Sequence, residues 1–127
     1  MRPILTALAL AATLALAGCA HKPGLGSWLD AGTTYAALST GDFIEANPLL
    51  DWGPTPAVTA LASIGLKHGM KHALTAAGMP KHDTHRAVET GGMLAAGWNL
   101  ALLAGASGLV PLVGGFGAAL WYWVWSG

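Results

Sequence analysis

Charged side chains are scarce in this chain of 127 residues. Aspartate, glutamate, lysine and arginine make up 9% of the sequence, whereas soluble domains have about 25%. Residues 90–127 contain none of these four and no histidine. So few charges cannot cover a water-exposed surface, and an uncharged run of this length is typical of two membrane helices. A buried soluble hairpin is the alternative, although a domain this small would cover it poorly.

Cysteine and basic residues are also few. The single cysteine, Cys19, excludes an intramolecular disulfide and a zinc site built from several cysteines. Six basic and six acidic residues give a net charge of zero, and no dense basic patch with interleaved aromatic residues occurs. The composition therefore argues against nucleic acid as a partner and predicts membrane lipid instead.

A short apolar segment precedes the cysteine. Residues 4–17 are apolar apart from two threonines, which is the length of a signal-peptide core and too short to cross a bilayer easily. The segment ends in Leu16-Ala17-Gly18-Cys19, which resembles the lipobox of bacterial lipoprotein precursors. An uncleaved first helix with an incidental cysteine is the alternative.

The lipobox resemblance has three implications. Residues 1–18 would be a signal peptide, Cys19 would carry a covalent lipid, and residues 19–127 would form the mature protein. The lipid anchor would lie on the outer side of the membrane. No cofactor other than this lipid is expected.

Helix signals predict that the mature chain is a single all-α domain. Ser27 and Asp30 form a capping-box pattern, which predicts one short helix over residues 28–40. Residues 41–56 contain three prolines and only acidic charges, and are predicted to form a loop. Three membrane helices are predicted near residues 57–78, 84–105 and 109–126.

Small residues recur at a spacing of four in the uncharged run. One set consists of Gly97, Ala101 and Gly105, and another pairs Gly114 with Ala118. Such spacing lets membrane helices approach closely, so we expect Gly97, Ala101 and Gly105 to form a helix-packing surface. These small residues also suggest that the protein packs against itself or a larger membrane complex.

Residues 29–50 carry a second resemblance, to small uncharacterised bacterial membrane proteins with a D-x-x-T-T and G-x-x-x-E-x-N-P pattern. The matching positions are Asp30, Thr33, Thr34, Gly41, Glu45, Asn47 and Pro48. The resemblance brings no known activity. A carboxylate and two hydroxyls on one helix face can hold a cation or relay a proton. We favour the alternative, in which Asp30 completes the helix cap and the threonines bond back to carbonyls.

Four of the five histidines, His68, His72, His82 and His85, lie within 18 residues. His68 and His72 are four apart on one helix face, a spacing that can chelate one metal ion. However, Gly69 occupies the position of the glutamate in a His-Glu-x-x-His motif. The neighbouring lysines and arginine are also typical of a basic membrane-flanking loop and disfavour metal binding, so a metal site is the weaker interpretation.

Two further polar residues lie beside or within the uncharged run. Glu89 is three residues from Arg86 and four from His85, which predicts a local ion pair. Asn99 is a candidate for a hydrogen bond between helices. No nucleophile elbow, phosphate loop or catalytic carboxylate pair is present. We therefore expect a non-catalytic structural or accessory component of the cell envelope, with ion, proton or metal binding as the alternative.

The distribution of charge predicts an orientation in the bacterial inner membrane. Every charge in residues 23–66 is acidic, whereas residues 67–86 contain four lysines or arginines and one aspartate. Because basic loops stay cytoplasmic, the acidic loop should face outward, on the same side as Cys19. The helix over residues 28–40 should then lie at the interface, since its two ends would share one side. The alternative is four crossings with the basic loop outside, or an unprocessed N-terminus.

Overall fold

The computed structural model describes residues 22–45, 50 and 55–127. These residues form four helices: α1 (Leu25–Ser39), α2 (Pro56–Ala76), α3 (Lys81–Leu103) and α4 (Val110–Trp125). The described part of the chain contains no strand, which confirms the all-α prediction. Cys19 and Asn47 lie outside the described residues, so the signal peptide and the lipidation stay predictions.

Most helix ends coincide with local sequence signals. The Thr55 hydroxyl accepts a hydrogen bond from the Val58 N–H at 3.3 Å, and Pro56 opens α2. Gly78 and Gly105 follow the ends of α2 and α3 with φ angles of 98° and 82°, in the left-handed region that glycine adopts readily. These caps explain why the bounds of α2 and α3 fall close to the predicted ones.

The helices form a bundle in which α3 is central. It packs against α1 on one side and against α4 on the other, while α2 packs chiefly against α1 and contacts α3 much less. Of the described helices, α4 packs only against α3. It therefore lies at one edge of the bundle.

Glycine permits the close crossing of α1 and α3. A Cβ atom added to Gly26 would lie 2.0 Å from the carbonyl oxygen of Glu89, and one added to Gly92 would lie 2.5 Å from the carbonyl carbon of Gly26. Any larger residue at either position would collide with backbone, so the two helices could not approach as closely.

Small residues also form the contact between α3 and α4, which run antiparallel. A Cβ atom added to Gly97 would lie 2.5 Å from the carbonyl oxygen of Gly114 and 2.9 Å from the Ala118 Cβ, and one added to Gly114 would lie 3.3 Å from the Ala101 Cβ. The predicted packing surface is therefore confirmed for Gly97 and Ala101. It is wrong for Gly105, which follows α3 in a turn and faces open space.

The start of α1 lies at the basic end of the bundle. The Lys71 ammonium donates a hydrogen bond to the Lys22 carbonyl oxygen at 3.3 Å, and Arg86 contacts Trp123 near the C-terminus. Residues 43–45, which follow α1, line a cavity between α1, α2 and α3. α1 packs against both α2 and α3, and its position relative to a membrane stays a prediction.

The prediction of three membrane helices required helices that are both long and apolar. Within residues 22–45 and 55–127, no helix combines the length and the apolarity needed to cross a membrane. Two lysines interrupt α2, four charged residues lie in the first half of α3, and α4 has only 16 residues.

Candidate functional site

The interior of the bundle is unusually polar. Among the described residues, buried polar or charged side chains are as numerous as buried apolar ones, ten of each. Many of them fall into two groups between α1, α2 and α3. We call these the Glu89 cluster (Ser27, Lys71, His85 and Glu89) and the Asp30 cluster (Asp30, Thr33, Thr34, Lys67 and Asn99).

The Glu89 cluster is built around an ion pair between two fully buried side chains, Lys71 of α2 and Glu89 of α3. The Glu89 carboxylate also accepts hydrogen bonds from the Ser27 N–H and the Ser27 hydroxyl, each at 2.7 Å. The Lys71 ammonium donates further hydrogen bonds to the Lys22 carbonyl oxygen and to Nδ1 of His85, both at 3.3 Å. Its three protons therefore all have acceptors.

Glu89 acts as a distant cap for α1. The Ser27 N–H belongs to the first turn of α1, whose own N-cap residue, Gly24, makes no side-chain hydrogen bond. A carboxylate satisfies such a donor and is favoured by the positive end of the helix dipole. The predicted capping box is therefore wrong, since Ser27 lies inside the helix and Asp30 pairs with Lys67 instead.

The predicted local ion pair of Glu89 with Arg86 or His85 is also wrong. Arg86 points to the C-terminal end of α4, where its guanidinium donates a hydrogen bond to the Trp123 carbonyl oxygen and lies 3.8 Å from the Trp123 ring centroid. Glu89 therefore pairs with Lys71 of α2, and Arg86 interacts with an aromatic residue of α4.

The surroundings fix the protonation states of Glu89 and His85. Burial tends to raise the pKa of Glu89, but the hydrogen bonds from Lys71 and Ser27 outweigh it and hold that pKa below its usual value. Burial and the nearby Lys71 ammonium lower the pKa of His85. A neutral His85 can accept the hydrogen bond from Lys71 at Nδ1, so the cluster holds one cation and one anion.

The Asp30 cluster lies further along α1 and joins all three helices. Asp30 forms an ion pair with Lys67 of α2 and accepts a long hydrogen bond, 3.5 Å, from the Thr34 hydroxyl. The Asn99 side-chain NH₂ donates to the hydroxyls of Thr33 and Thr34 at 3.3 and 3.2 Å. The predicted interhelical hydrogen bond of Asn99 is therefore confirmed.

Thr33 also forms the hydrogen bonds to main-chain carbonyls that the favoured interpretation of the sequence predicts. Its hydroxyl donates to the carbonyl oxygens of Leu29 and Asp30, at 2.8 and 3.1 Å. Thr33 is thus both a back-bonded helix residue and an acceptor for Asn99.

A cavity of about 660 Å³ lies between α1, α2 and α3. Asp30, Thr34, Lys67 and Asn99 contribute to its wall, and Glu45 lines it too. Most of the remaining wall is apolar. The fold therefore brings three of the candidate residues on α1 and α3, together with Glu45, around one space.

The four candidate histidines lie in different surroundings. His68 is buried in α2, His72 is half-buried, and His85 belongs to the Glu89 cluster. His82 is exposed, with Nδ1 3.4 Å from a carboxylate oxygen of Asp83. No group of three histidine, cysteine or acidic residues suited to a metal ion occurs in the described ranges.

Sequence reasoning missed Ser27, Lys67 and Lys71 as members of the site. The two lysines lie in the predicted helix 57–78 and were considered only as basic neighbours of the histidines, typical of a membrane-flanking region, yet both project into the bundle. Their spacing of four places them on one face of α2, and Asp30 and Glu89 are isolated carboxylates that need partners when buried. Two lysines on one helix face and two isolated carboxylates were therefore the signal from which the ion pairs could have been predicted.

Comparison with known proteins identifies no relative. No protein family, curated protein or solved structure matches the chain. The chemistry of the site therefore follows from its geometry alone.

Proposed function

We propose that the chain is a small membrane lipoprotein of the bacterial inner membrane, with a non-catalytic structural or accessory role in the cell envelope. The observation that supports this is the distribution of side chains. Ionisable residues are paired inside the bundle, whereas large apolar residues are exposed outside it. Such an arrangement is typical of proteins surrounded by lipid.

The outer face of α4 is the surface proposed to contact lipid. Its exposed large apolar residues are Val110, Leu112, Val113, Phe116, Leu120, Trp121, Trp123, Val124 and Trp125. Soluble monomers rarely expose an apolar patch larger than a few hundred Å². The tryptophans at the end of α4 suit the headgroup region, where amphipathic rings concentrate. Contact with lipid along α4 does not require a helix that crosses the membrane by itself.

Two ion pairs support the non-catalytic part of the proposal. Lys71 and Glu89 are fully buried and bonded to each other, so neither is accessible to a substrate. Lys67 and Asp30 neutralise each other in the same way. Both pairs join α2 to a neighbouring helix, so their role is to hold the bundle together.

Quenching of tryptophan fluorescence by brominated lipid tests the proposal. The full chain, with its six natural tryptophans replaced by phenylalanine, would carry either Leu120→Trp on the outer face of α4 or His82→Trp at an exposed polar site. In vesicles of lipids brominated in mid-chain, we expect strong quenching at position 120 and little at position 82. Equal, weak quenching at both positions would show that water or a second copy covers α4.

Ion, proton or metal binding is the second candidate. The observation that favours it is the approach of Asp30, Thr34, Asn99 and Glu45 to one cavity. The scattered histidines support it less. Stoichiometric metal in the purified protein, lost when His68 and His72 are replaced together, would make this the better proposal.

A further inference from the structure

We propose that the cavity between α1, α2 and α3 binds a single-chain amphiphile with an uncharged, hydrogen-bonding head group, such as an alcohol. The inference rests on the lining of the cavity and not on the proposed contact of α4 with lipid. The two can therefore fail separately. The volume of about 660 Å³ lies within the roughly 300–1,000 Å³ of small-molecule sites.

The shape of the cavity suits an alkyl chain. Its wall on α3 extends from Ala87 to Leu102, which is about 22 Å at 1.5 Å per residue. On α2 the wall is formed at every turn, by Leu66, Met70 and Leu74. The result is a long space with apolar sides, and an alkyl chain fills such a space without leaving polar groups unpaired.

The polar groups contributed by α1 and α3 lie between the middle of this length and its Leu102 end. Ser27 of α1 bonds to Glu89, and Thr34 bonds to Asn99, so Asp30 lies beside the stretch of α3 between them. A head group held between Asp30 and Asn99 leaves up to about 18 Å of mostly apolar wall toward Ala87, at 1.5 Å per residue. This distance suits a chain of moderate length.

The lining predicts an uncharged head group. Among the lining residues, Lys67 of α2 can donate and Asn99 of α3 can accept a hydrogen bond, so an uncharged hydroxyl can find a partner on either helix. The charges of Asp30 and Lys67 already neutralise each other. A third charge would enter a largely apolar space, which is costly, and the other acidic lining residue, Glu45, already has an interaction partner. An anionic head group would also meet Glu45, which lines the same cavity.

Three probes of equal chain length test the choice of head group: 10-bromodecan-1-ol, 10-bromodecanoate and 10-bromodecylammonium. The readout is quenching of Trp98, which lines the cavity, in the full chain with its other five tryptophans replaced by phenylalanine. We expect saturable quenching by the alcohol, at a concentration at least tenfold lower than for either charged probe. Equal or tighter binding of a charged probe, or no saturable quenching by the alcohol, would overturn the proposal.

Two glycines provide a matched pair of variants. Gly91 and Gly69 are both helical, and a Cβ atom added to either would meet no atom within 4 Å. Only Gly91 lines the cavity. Gly91→Leu should therefore fill the space and raise the half-saturating concentration of the alcohol at least tenfold, whereas Gly69→Leu should leave it unchanged. An unchanged value in a folded Gly91→Leu protein would overturn the inference.

A third variant tests the polar contact if Gly91→Leu fails to fold. Lys67→Met together with Asp30→Asn removes both charges and leaves no buried ion unpaired. We expect the half-saturating concentration of the alcohol to rise about tenfold, while that of 1-bromodecane, which has no head group, stays the same. Equal effects on the two probes, or no effect on the alcohol, would contradict recognition of the head group.

Discussion

Glu89 links three helices of the bundle through one side chain. Its carboxylate bonds to the first turn of α1 through Ser27 and to α2 through Lys71, although it belongs to α3. A charge-assisted hydrogen bond contributes more than a neutral one, but a buried ion pair is stabilising only while both partners are present. Single and double substitutions should therefore have very different effects.

We expect Glu89→Gln to destabilise the bundle by about 3–5 kcal/mol, because the Lys71 charge then remains buried without its counter-charge. Lys71→Met in the same chain should restore most of this loss. The measurement is the free energy of unfolding in mild detergent for both single variants and the double variant. Additive losses in the double variant would mean that the pair is not coupled.

His85 makes stability depend on pH in a definite direction. Its pKa is lowered in the folded state by burial and by Lys71, so below its ordinary value of 6.5 the unfolded chain binds a proton that the folded chain does not. Stability should therefore fall as the pH drops below about 6.5. The lowered pKa of Glu89 acts in the same direction below its ordinary value of 4.5.

The measurement is the free energy of unfolding between pH 7.5 and pH 5.5. His85→Gln should flatten this dependence, since the titrating group is gone. His82→Gln, at an exposed position, is the control and should leave the slope as it is. A slope that survives His85→Gln would assign the dependence to another group.

Among the helices, local signals decide the bounds and distant residues decide the packing. α2 begins at Pro56 and ends beside Gly78, close to prediction, because the threonine, proline and glycine act on their own helix. α1 begins at Leu25 rather than near residue 28, because its capping carboxylate comes from a residue 62 positions away. Sequence periodicity contains no information about such a contact.

The candidate site was predictable only in part for the same reason. Asn99 and the small residues of α3 and α4 could be identified, since uncharged helices leave such residues few other roles. Lys67 and Asp30 are 37 residues apart on separate helices. A pairing at that distance depends on how α1 crosses α2. The sequence of either helix alone does not reveal this crossing.

The crossing of α1 and α3 gives the sharpest test at the scale of the helices. Gly26→Ala should cost about 1–3 kcal/mol of stability, because the added methyl group collides with the backbone at Glu89. Gly32→Ala, in the same helix but facing open space, should stabilise by roughly 0.5–1 kcal/mol, since alanine favours helix. Thermal unfolding of the two variants compares them directly, and a tolerated Gly26→Ala would place the crossing elsewhere.

For the whole molecule, the arrangement of the ends bears on the predicted orientation, which stays a prediction. Lys22, the turn between α2 and α3, and the C-terminus share one end of the bundle. A lipid on Cys19, three residues before Lys22, would tether this end, so basic residues would lie beside the anchor. The positive-inside rule and a lipid on Cys19 would then place this end on opposite sides of the membrane, and we expect the anchor to decide because only three residues separate it from Lys22.

Labelling of single cysteines in spheroplasts checks this arrangement. The Cys19 thiol, once lipidated, does not react, so His82→Cys can be made in the full chain. We expect an impermeant thiol reagent to label His82→Cys from the outer side, whereas Ser63→Cys, at a buried position, stays unlabelled. Failure to label His82→Cys in protein that carries the lipid would mean that the turn between α2 and α3 is not on the anchored side of the membrane.

The capping of α1 by Glu89 also has a consequence for the order of assembly. α1 is synthesised before α2 and α3, yet its cap and the counter-charge of Asp30 come from residues made later. Contacts between residues so distant in sequence form late, since a long loop must close first. Among the four described helices, α1 is therefore synthesised first but can be completed only after α3 has been made.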